Sequence, residues 1–369
     1  MTNARITDSV AAATLAGLQG ATPYRLHRLF VYFGTPARAL DAVRAGRAAE
    51  AIAKDPHRAA IARRWERTAD PTPVAAVLEQ RGTRVWAARQ PGFPFEPGLP
   101  EAAAVLFAEG DRPEVLGRPR VAIVGTRAST PPGNADARAI GRYLGEQGIT
   151  IVSGLALGID AAAHQGALEV GGGVIGVVAT GLDIVYPRQH HLLYAEVRRH
   201  GLVLSENAFG VPPTRARFPV RNRIIAALCD AVVVVEATAK GGARITAKWA
   251  AKYDREVLAM PGSRRNPAAV GCNELIADGA QSLLDPSDVL TALGRHSPAT
   301  GARPAGWGGP DAKISGAARR LHAGMAGEPA TLDELLARSG MAVGVVAGLI
   351  RELERAGRLE RARGVLWPC

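Results

Sequence analysis

From Arg120 to about Leu293, short β-branched runs alternate with segments of helical length, and no other feature restricts the fold of this chain as strongly. The runs are VAIVG, ITIVSG, VIGVVATG, GLVLSE, AVVVVEA and EVLAMPG. Between them stand GNADARAIGRYLGEQG, GIDAAAHQGALEV, HHLLYAEVRRH, RNRIIAALC and ARITAKWAAKY. Strands this apolar are covered on both faces, and strands joined by crossover helices run parallel. The expected fold is α/β, an extended Rossmann-like, doubly wound parallel sheet. Ligands of such sheets bind beyond the carboxyl ends of the strands, so the loops that follow the runs are where function is to be sought.

The flanks read differently. Residues 1–70 predict short helices, with Leu15, Leu18, Leu26, Leu29 and Phe30 at helical spacing and Gly20, Pro23, Gly34 and Pro36 at the breaks. They predict a small helical domain (SAM or helix-hairpin-like) whose apolar stripe reads as core first and as a binding face second. SVAAATLAGLQG has the length of a signal-peptide core, but Asp8 precedes it and two glycines interrupt it, so it reads as a soluble helix. Residues 71–118 are rich in Pro and Gly and hold two expected strands, TRVWAA and AAVLFAEG; they read as a connector that adds to the next sheet. Together they set a domain at 71–293 with its core at 120–293. Residues 294–312 read as a flexible Gly/Pro/Ala linker. Residues 313–369 predict a winged helix. TLDELLARSG opens on a threonine cap with an acid three residues later and closes on glycine. MAVGVVAGLIRELERAG is the longer helix, and RLERARGVLWPC the wing, turning at Gly364.

Charge narrows the partner. The chain carries 45 basic and 34 acidic residues, a net +11, which suits a polyanion. Lysine occurs only at Lys54, Lys240, Lys248, Lys252 and Lys313; the rest is arginine, whose planar fork suits phosphate, although base composition of a genome produces the same skew. Hydrophobic residues make up 47% of the chain, enough for a substantial core. Cys229, Cys272 and Cys369 have no metal-ligand spacing and fit a reducing cytosol. No uncharged run is long enough to span a membrane. The loops contain neither GxGxxG nor GxxxxGK[ST], so NAD and ATP are not expected, while some other phosphate stays open; no cofactor or metal is expected.

Four loops carry the candidate site. Gly125-Thr126-Arg127 follows the first strand and turns through Pro131, Pro132 and Gly133 into a helix, whose amides with Arg127 suit a phosphate. Ser153-Gly154 opens the second loop, in which Gly154 and Gly158 allow close backbone approach. Asp160 reads as a cap of the next helix, and His164 lies one turn on. They form a conceivable catalytic pair, but a cap and a packed histidine bonded to backbone are favoured about three to one. The stretch from Asn207 to Cys229 contains Arg215, Arg217, Arg221 and Arg223, with Phe218 between the pairs, Asn222 between the last two, and no acid. Cations with an interleaved aromatic match a single strand: charge follows the backbone and a ring stacks on a base. Lys240-Gly241-Gly242 precedes a further helix and offers a second anion contact. Glu236, at the end of its strand, reads as a partner of a ribose hydroxyl or of an arginine.

In this order, VAIVGTR, IVSGLALGIDAAAH, TGLDIVYP, LVLSENAFG, FPVRNRIIAAL, VVVVEA, MPGS and GCNELIADGA resemble the DNA-processing protein A family (DprA, also called Smf) over about half the chain, and both flanks are similar to its longer members. The resemblance implies a cytoplasmic, dimeric protein without catalytic activity. Such a protein would bind incoming single-stranded DNA during natural transformation, displace single-strand-binding protein and load the RecA recombinase. It implies a phosphate pocket at Arg127 and Ser153-Gly154, and cationic and aromatic DNA contacts at Arg215 and Phe218. GGARITA stands where the family commonly has a Ser-Gly-Ser-type turn, which puts hydroxyl contacts there in doubt. Ala227 and Cys229 replace the more usual Gly and Ser. Two other classes compete: a nucleotide-hydrolysing enzyme on a related fold, and a module that senses a small nucleotide. The first needs a Gly-Gly-x-Gly-Thr turn after a strand, and Gly171-Gly172-Gly173 precedes one.

Overall fold

The structure is a computed structural model that describes residues 6–95, 99, 103–294, 315–325, 328–356, 358–362 and 365–368. Six helices open the chain: α1 (Asp8–Gly17), α2 (Pro23–Phe33), α3 (Pro36–Arg44), α4 (Ala48–Ala51), α5 (Arg58–Thr68) and α6 (Thr72–Arg81). Thr7, Thr22 and Thr35 cap the first three, each accepting a backbone N–H from inside the helix. The stripe residues Leu15, Leu18, Leu26, Leu29 and Phe30 are buried, so here the core reading is the right one. Within the connector, Thr72–Arg81 form α6, a helix not expected from the sequence.

A nine-stranded sheet follows, in the order β1-β2-β6-β5-β4-β3-β7-β8-β9. Its strands are β1 (Arg84–Ala87), β2 (Val105–Glu109), β3 (Arg120–Val124), β4 (Thr150–Ser153), β5 (Val174–Val177), β6 (Gly201–Ser205), β7 (Ala231–Val234), β8 (Glu256–Ala259) and β9 (Gln281–Ser282). From β6 to β9 all neighbours are parallel; β1 and β2 extend the β6 edge antiparallel, so the sheet is mixed only at that margin. The crossovers run through α7 (Pro131–Glu146), α8 (Ile159–Glu169), α9 (His191–His200), α10 (Arg217–Leu228) and α11 (Gly242–Lys252). Two short helices, α12 (Val270–Ala277) and α13 (Ser287–Ala292), complete this part.

Both faces of the sheet are buried because successive residues of each strand alternate between two apolar clusters. Val121 and Ile123 join one and Ala122 and Val124 the other. The first cluster continues into Leu15, Phe30, Leu40 and Trp65, and Ser9 of α1 donates its hydroxyl to Val85 O at 3.1 Å. The helical segment thus shares one core with the sheet and covers its β1 edge, which would otherwise expose unpaired backbone groups. On the same face α7 and α8 approach backbone to backbone. A Cβ at Gly166 would stand 1.9 Å from Arg138 O, and one at Gly141 2.3 Å from Ala163 O. Ala227 and Cys229 are both buried, so the two departures from the family pattern fall on packing positions.

The third unit is α14 (Gly316–Ala323), β10 (Ala330–Thr331), α15 (Leu332–Ser339), α16 (Val343–Arg355), β11 (Leu359–Ala362) and β12 (Val365–Pro368), with its own apolar cluster. The expected capping box is present. Glu334 N donates to Thr331 Oγ1 at 3.2 Å, Thr331 N donates to Glu334 Oε2 at 2.7 Å, and Gly340 closes the helix at φ 63°. α14 and β10 were not foreseen from the sequence. The expected linker lies outside the described residues apart from Gly294, and so does the wing turn at Gly364.

Candidate nucleic-acid interface

Strand β3 runs through the interior of the sheet, and the chain turns away from it to β4 on one side and returns to β7 on the other. That reversal opens a crevice at the carboxyl end of β3. Thr126 N donates to Glu236 O at 2.8 Å across it. The loop after β3 then carries Arg127 into solvent, with its Cζ 4.4 Å from the centre of the Phe218 ring. Tyr186 stands beside Phe218 at 5.5 Å between ring centres, tilted by 43°. Arg127, Gly154, Ala156, Leu157, Tyr186, Pro187 and Phe218 enclose a small recess of about 50 Å³. Three loops that follow β3, β4 and β5 and the start of α10 therefore meet at one point.

Of the arginines in the acid-free segment, only the outer ones face this recess or solvent. Arg215 is exposed. Arg217 donates to Pro212 O at 3.1 Å and to Thr214 Oγ1 at 3.3 Å, which stiffens the loop. Helix α10 begins at Arg217, four residues earlier than expected, and this turns the next arginines inward. Arg221 is 4% exposed; its Nη1 donates to Gly154 O at 2.9 Å and also to Val177 O. It lies against Asp160, whose Oδ2 accepts from Gly154 N at 3.0 Å and Ala156 N at 3.4 Å. Burial pushes the Asp160 carboxyl up, opposed by the Arg221 charge and these amides. Arg223 is 5% exposed and paired with Glu206. The expectation that Arg221 and Arg223 contact phosphate is thus corrected, because their donors are spent on carbonyls and carboxylates inside the protein. Asn222 is also structural: its amide accepts from Arg221 Nε at 3.2 Å and donates to Gly242 O at 3.1 Å.

The glycines and Ser153 also act differently from expectation. A Cβ at Gly125 would lie 2.4 Å from Ile159, and one at Gly154 2.5 Å from Arg221 Nη2. Their missing side chains admit protein groups, although Gly154 still lines the recess. Ser153 is buried and donates its hydroxyl to Ile123 O at 2.6 Å. Pro131 to Gly133 form the first turn of α7, and its N-terminus is not open to an anion. Thr130 caps it, and the Glu236 carboxylate accepts from Thr130 N at 2.9 Å and Thr130 Oγ1 at 2.6 Å. Glu236 is thus engaged at the start of α7, bonded to Thr130 rather than to an arginine. Asp136, which sequence reading passed over, is pushed up to about 7 by burial and the neighbouring Glu236 charge.

Asp160 does not cap α8, whose N-cap is Gly158 with no side-chain bond; it ties down the preceding loop instead. His164 is fully buried, and neither ring nitrogen has a hydrogen-bond partner. Burial and the nearby His190 lower it to about 3. A pair with its base enclosed and its acid already bonded twice has no access to a substrate. Lys240 is exposed at the start of α11 and Gly241 is its N-cap, but the Lys240-Gly241-Gly242 turn does not line the Arg127–Phe218 recess. Among the described residues no cluster of three metal-ligating side chains occurs, and no helix is long and apolar enough to cross a membrane.

Tyr186, Pro187 and Leu157 were missed as site residues. TGLDIVYP ends on the same carboxyl edge as the other loops, which places Tyr186 among the ligand-facing positions.

Comparison with known proteins bears on this geometry. The family model described as DNA recombination-mediator protein A matches residues 86–294, and the DprA winged helix domain matches 308–364. Protein Smf of Synechocystis is 36% identical over 298 residues, covering 72% of this chain and 75% of that one. DNA processing protein DprA of Streptococcus pneumoniae is 42% identical over 190 residues, covering 52% and 67%. The solved Streptococcus pneumoniae DprA superposes with a TM-score of 0.66 at 32% identity over 78% of this chain and 98% of that one. Helicobacter pylori DprA, solved for its single-stranded DNA binding mode, gives 0.52 at 31% over 57% and 97%.

Proposed function

The chain belongs to the DNA recombination-mediator protein A family, and from that premise we propose that it binds single-stranded DNA at the Arg127–Phe218 recess. Its role is in DNA processing and recombination. The observation that carries the reading is the Arg127 guanidinium over the Phe218 ring at 4.4 Å, beside Tyr186, at the carboxyl edge of the sheet. One cation for the phosphate and two rings for bases are what a sequence-tolerant single-strand site needs. Arg215 and Lys240, both exposed, extend the positive surface along the same edge. The Arg127 loop forms the phosphate end, and the rings form the base end.

The protein works on the strand without converting it chemically. It receives a single strand, keeps it from single-strand-binding protein and passes it to RecA, as a homodimer in the cytoplasm and, in a transformable cell, on incoming DNA. Two measurements test this. The affinity for a labelled oligo-dT, read by anisotropy, should fall with salt at a logarithmic slope of about −0.7 per phosphate neutralised. RecA should form filaments on strands coated with single-strand-binding protein faster when this protein is present. Binding indifferent to salt, or filament growth unchanged, would overturn the corresponding half of the reading.

A further inference from the structure

An open groove of about 750 Å³ lies between α6 and the loops at the end of the sheet. Gln80 and Arg81 of α6, Arg198 of α9, Asp183, Phe209 and the buried Glu109 line it. Its polar groups are held in fixed planes. The Glu109 carboxylate accepts from Arg81 Nε at 2.8 Å, Arg81 Nη2 at 3.0 Å and Thr83 Oγ1 at 3.0 Å, and it pairs with Arg198 Nη2 at 3.2 Å. Arg198 Nη2 also donates to Leu182 O at 2.9 Å. With Asp183 also in the lining, two guanidinium groups and two carboxylates leave the groove formally neutral, with charged donors and acceptors side by side. Arg198 Nε is buried with no protein partner. Arg81 lies 5.4 Å from the centre of the Phe209 ring, which in turn packs on Phe107 at 5.8 Å. The Asp183 carboxylate accepts from Gly210 N at 2.9 Å and adds an acceptor to the wall. A fixed guanidinium plane on an aromatic ring, with both donors and an acceptor nearby, is the surface on which an unstacked base is held. A phosphate alone would not need the ring or the acid.

The groove and the recess are built in part from the same two loops. The loop after β5 supplies Asp183 to the groove and Tyr186 and Pro187 to the recess; the loop after β6 supplies Phe209 to one and leads to Phe218 in the other. Asp183 and Tyr186 are three residues apart, so their Cα atoms are separated by at most about 11 Å. We propose that the groove takes a further nucleotide of the same single strand, its base lying on the Arg81–Phe209 stack. The N-terminal helical segment is then part of the DNA path rather than a separate appendage. The inference rests on the reading of the Arg127–Phe218 recess as a single-strand site.

Gln80 is the residue to change, because it is exposed on α6 and lines the groove. Fluorescein-labelled oligo-dT of about 5 and about 20 nucleotides, bracketing the site sizes of single-strand-binding OB folds, are titrated against full-length wild type, Gln80→Glu, Gln80→Lys and Arg127→Ala. For the long strand, Gln80→Glu should lower affinity about three- to tenfold and Gln80→Lys should raise it by a similar factor, while the short strand, held at the recess, changes less than about twofold. Opposite signs for the two variants exclude a merely damaged fold. Equal changes for both lengths, or none for either, would overturn the groove as a subsite. If Arg127→Ala weakens both lengths while the Gln80 variants do nothing, only the groove falls. If Arg127→Ala affects neither length, the recess reading falls and takes the groove with it.

Discussion

Within nine residues the segment from Arg215 to Arg223 places four arginines in two environments. The outer half, Arg215 to Phe218, lies at the surface, where Arg217 braces its own loop and Phe218 carries Arg127 on its ring. The inner half, Arg221 to Arg223, is one turn further along the same helix and points into the protein, against Gly154, Val177, Asp160 and Glu206. The outer guanidinium groups keep most of their hydration, so a passing phosphate can take them over. The inner ones have exchanged water for fixed acceptors, and nothing mobile replaces those at comparable energy. A basic stretch in a sequence is therefore not yet a basic surface, and the helix start at Arg217 draws the line between the two.

Substitution on the inner side should have the largest effect. Arg221→Ala leaves two carbonyls and the Asp160 carboxylate without their cation inside the fold, and the expected loss is about 3–5 kcal/mol of stability, read by urea denaturation. An Arg221→Ala protein as stable as wild type but defective in DNA binding would move Arg221 to the outer group and remove the contrast.

His164 gives a second view of the same interior through pH. Its folded-state value of about 3 lies below the ordinary one of 6.5, so the folded protein binds fewer protons than the unfolded chain. Its contribution is intact above about pH 6.5 and is lost as pH falls toward 3. Between pH 7 and pH 5 the loss should be about 2 kcal/mol, and His164→Leu should remove that component from the stability profile. Parallel profiles for the two proteins would show that His164 is not what resists acid.

On the outer side the expected effects fall on binding and leave stability alone. Phe218→Ala should weaken oligo-dT binding by about 1–3 kcal/mol with little change in salt slope, since stacking is lost and charge is kept. Arg127→Ala should weaken binding less and flatten the slope by about 0.7, one phosphate's share. If the two variants had the same slope, the division between a base end and a phosphate end would be wrong.

The smallest effect is expected from the tail. The exposed start of α16 presents Val343 and Val345, at 59% and 51% exposure, where a groove-reading helix needs polar donors. A chain ending at Leu293 should bind single strands within about tenfold, or 1.4 kcal/mol, of full length. Loss of nearly all binding by a truncated protein still folded by circular dichroism would place the main site in the winged helix.

Much of this was legible before any coordinates. The six runs named from the sequence each hold a strand of the parallel part of the sheet, and Arg127 and Phe218 were singled out from loops on its carboxyl edge. What was misplaced has a common cause. Ser153, Gly154, Arg221 and Glu236 look like ligand groups because ligand groups and buried polar partners draw on the same residue types. Pattern along the chain does not say that Asp160 lies against Arg221, sixty-one positions away. Tyr186 was missed for the opposite reason, since a lone tyrosine in a loop carries no periodic signal.

By itself, then, the sequence determined the parallel sheet, the helical and winged flanks and the edge from which the proposed site is built. Those follow from local pattern: apolar periodicity, caps and turns, each set within a few residues. The division of the arginines between surface and interior was decided only by tertiary structure, as were the closing of α7's N-terminus by Glu236 and the meeting of Arg127, Tyr186 and Phe218. A polar group's environment depends on which distant atoms satisfy it, and a buried donor stays buried only where the fold supplies its acceptors.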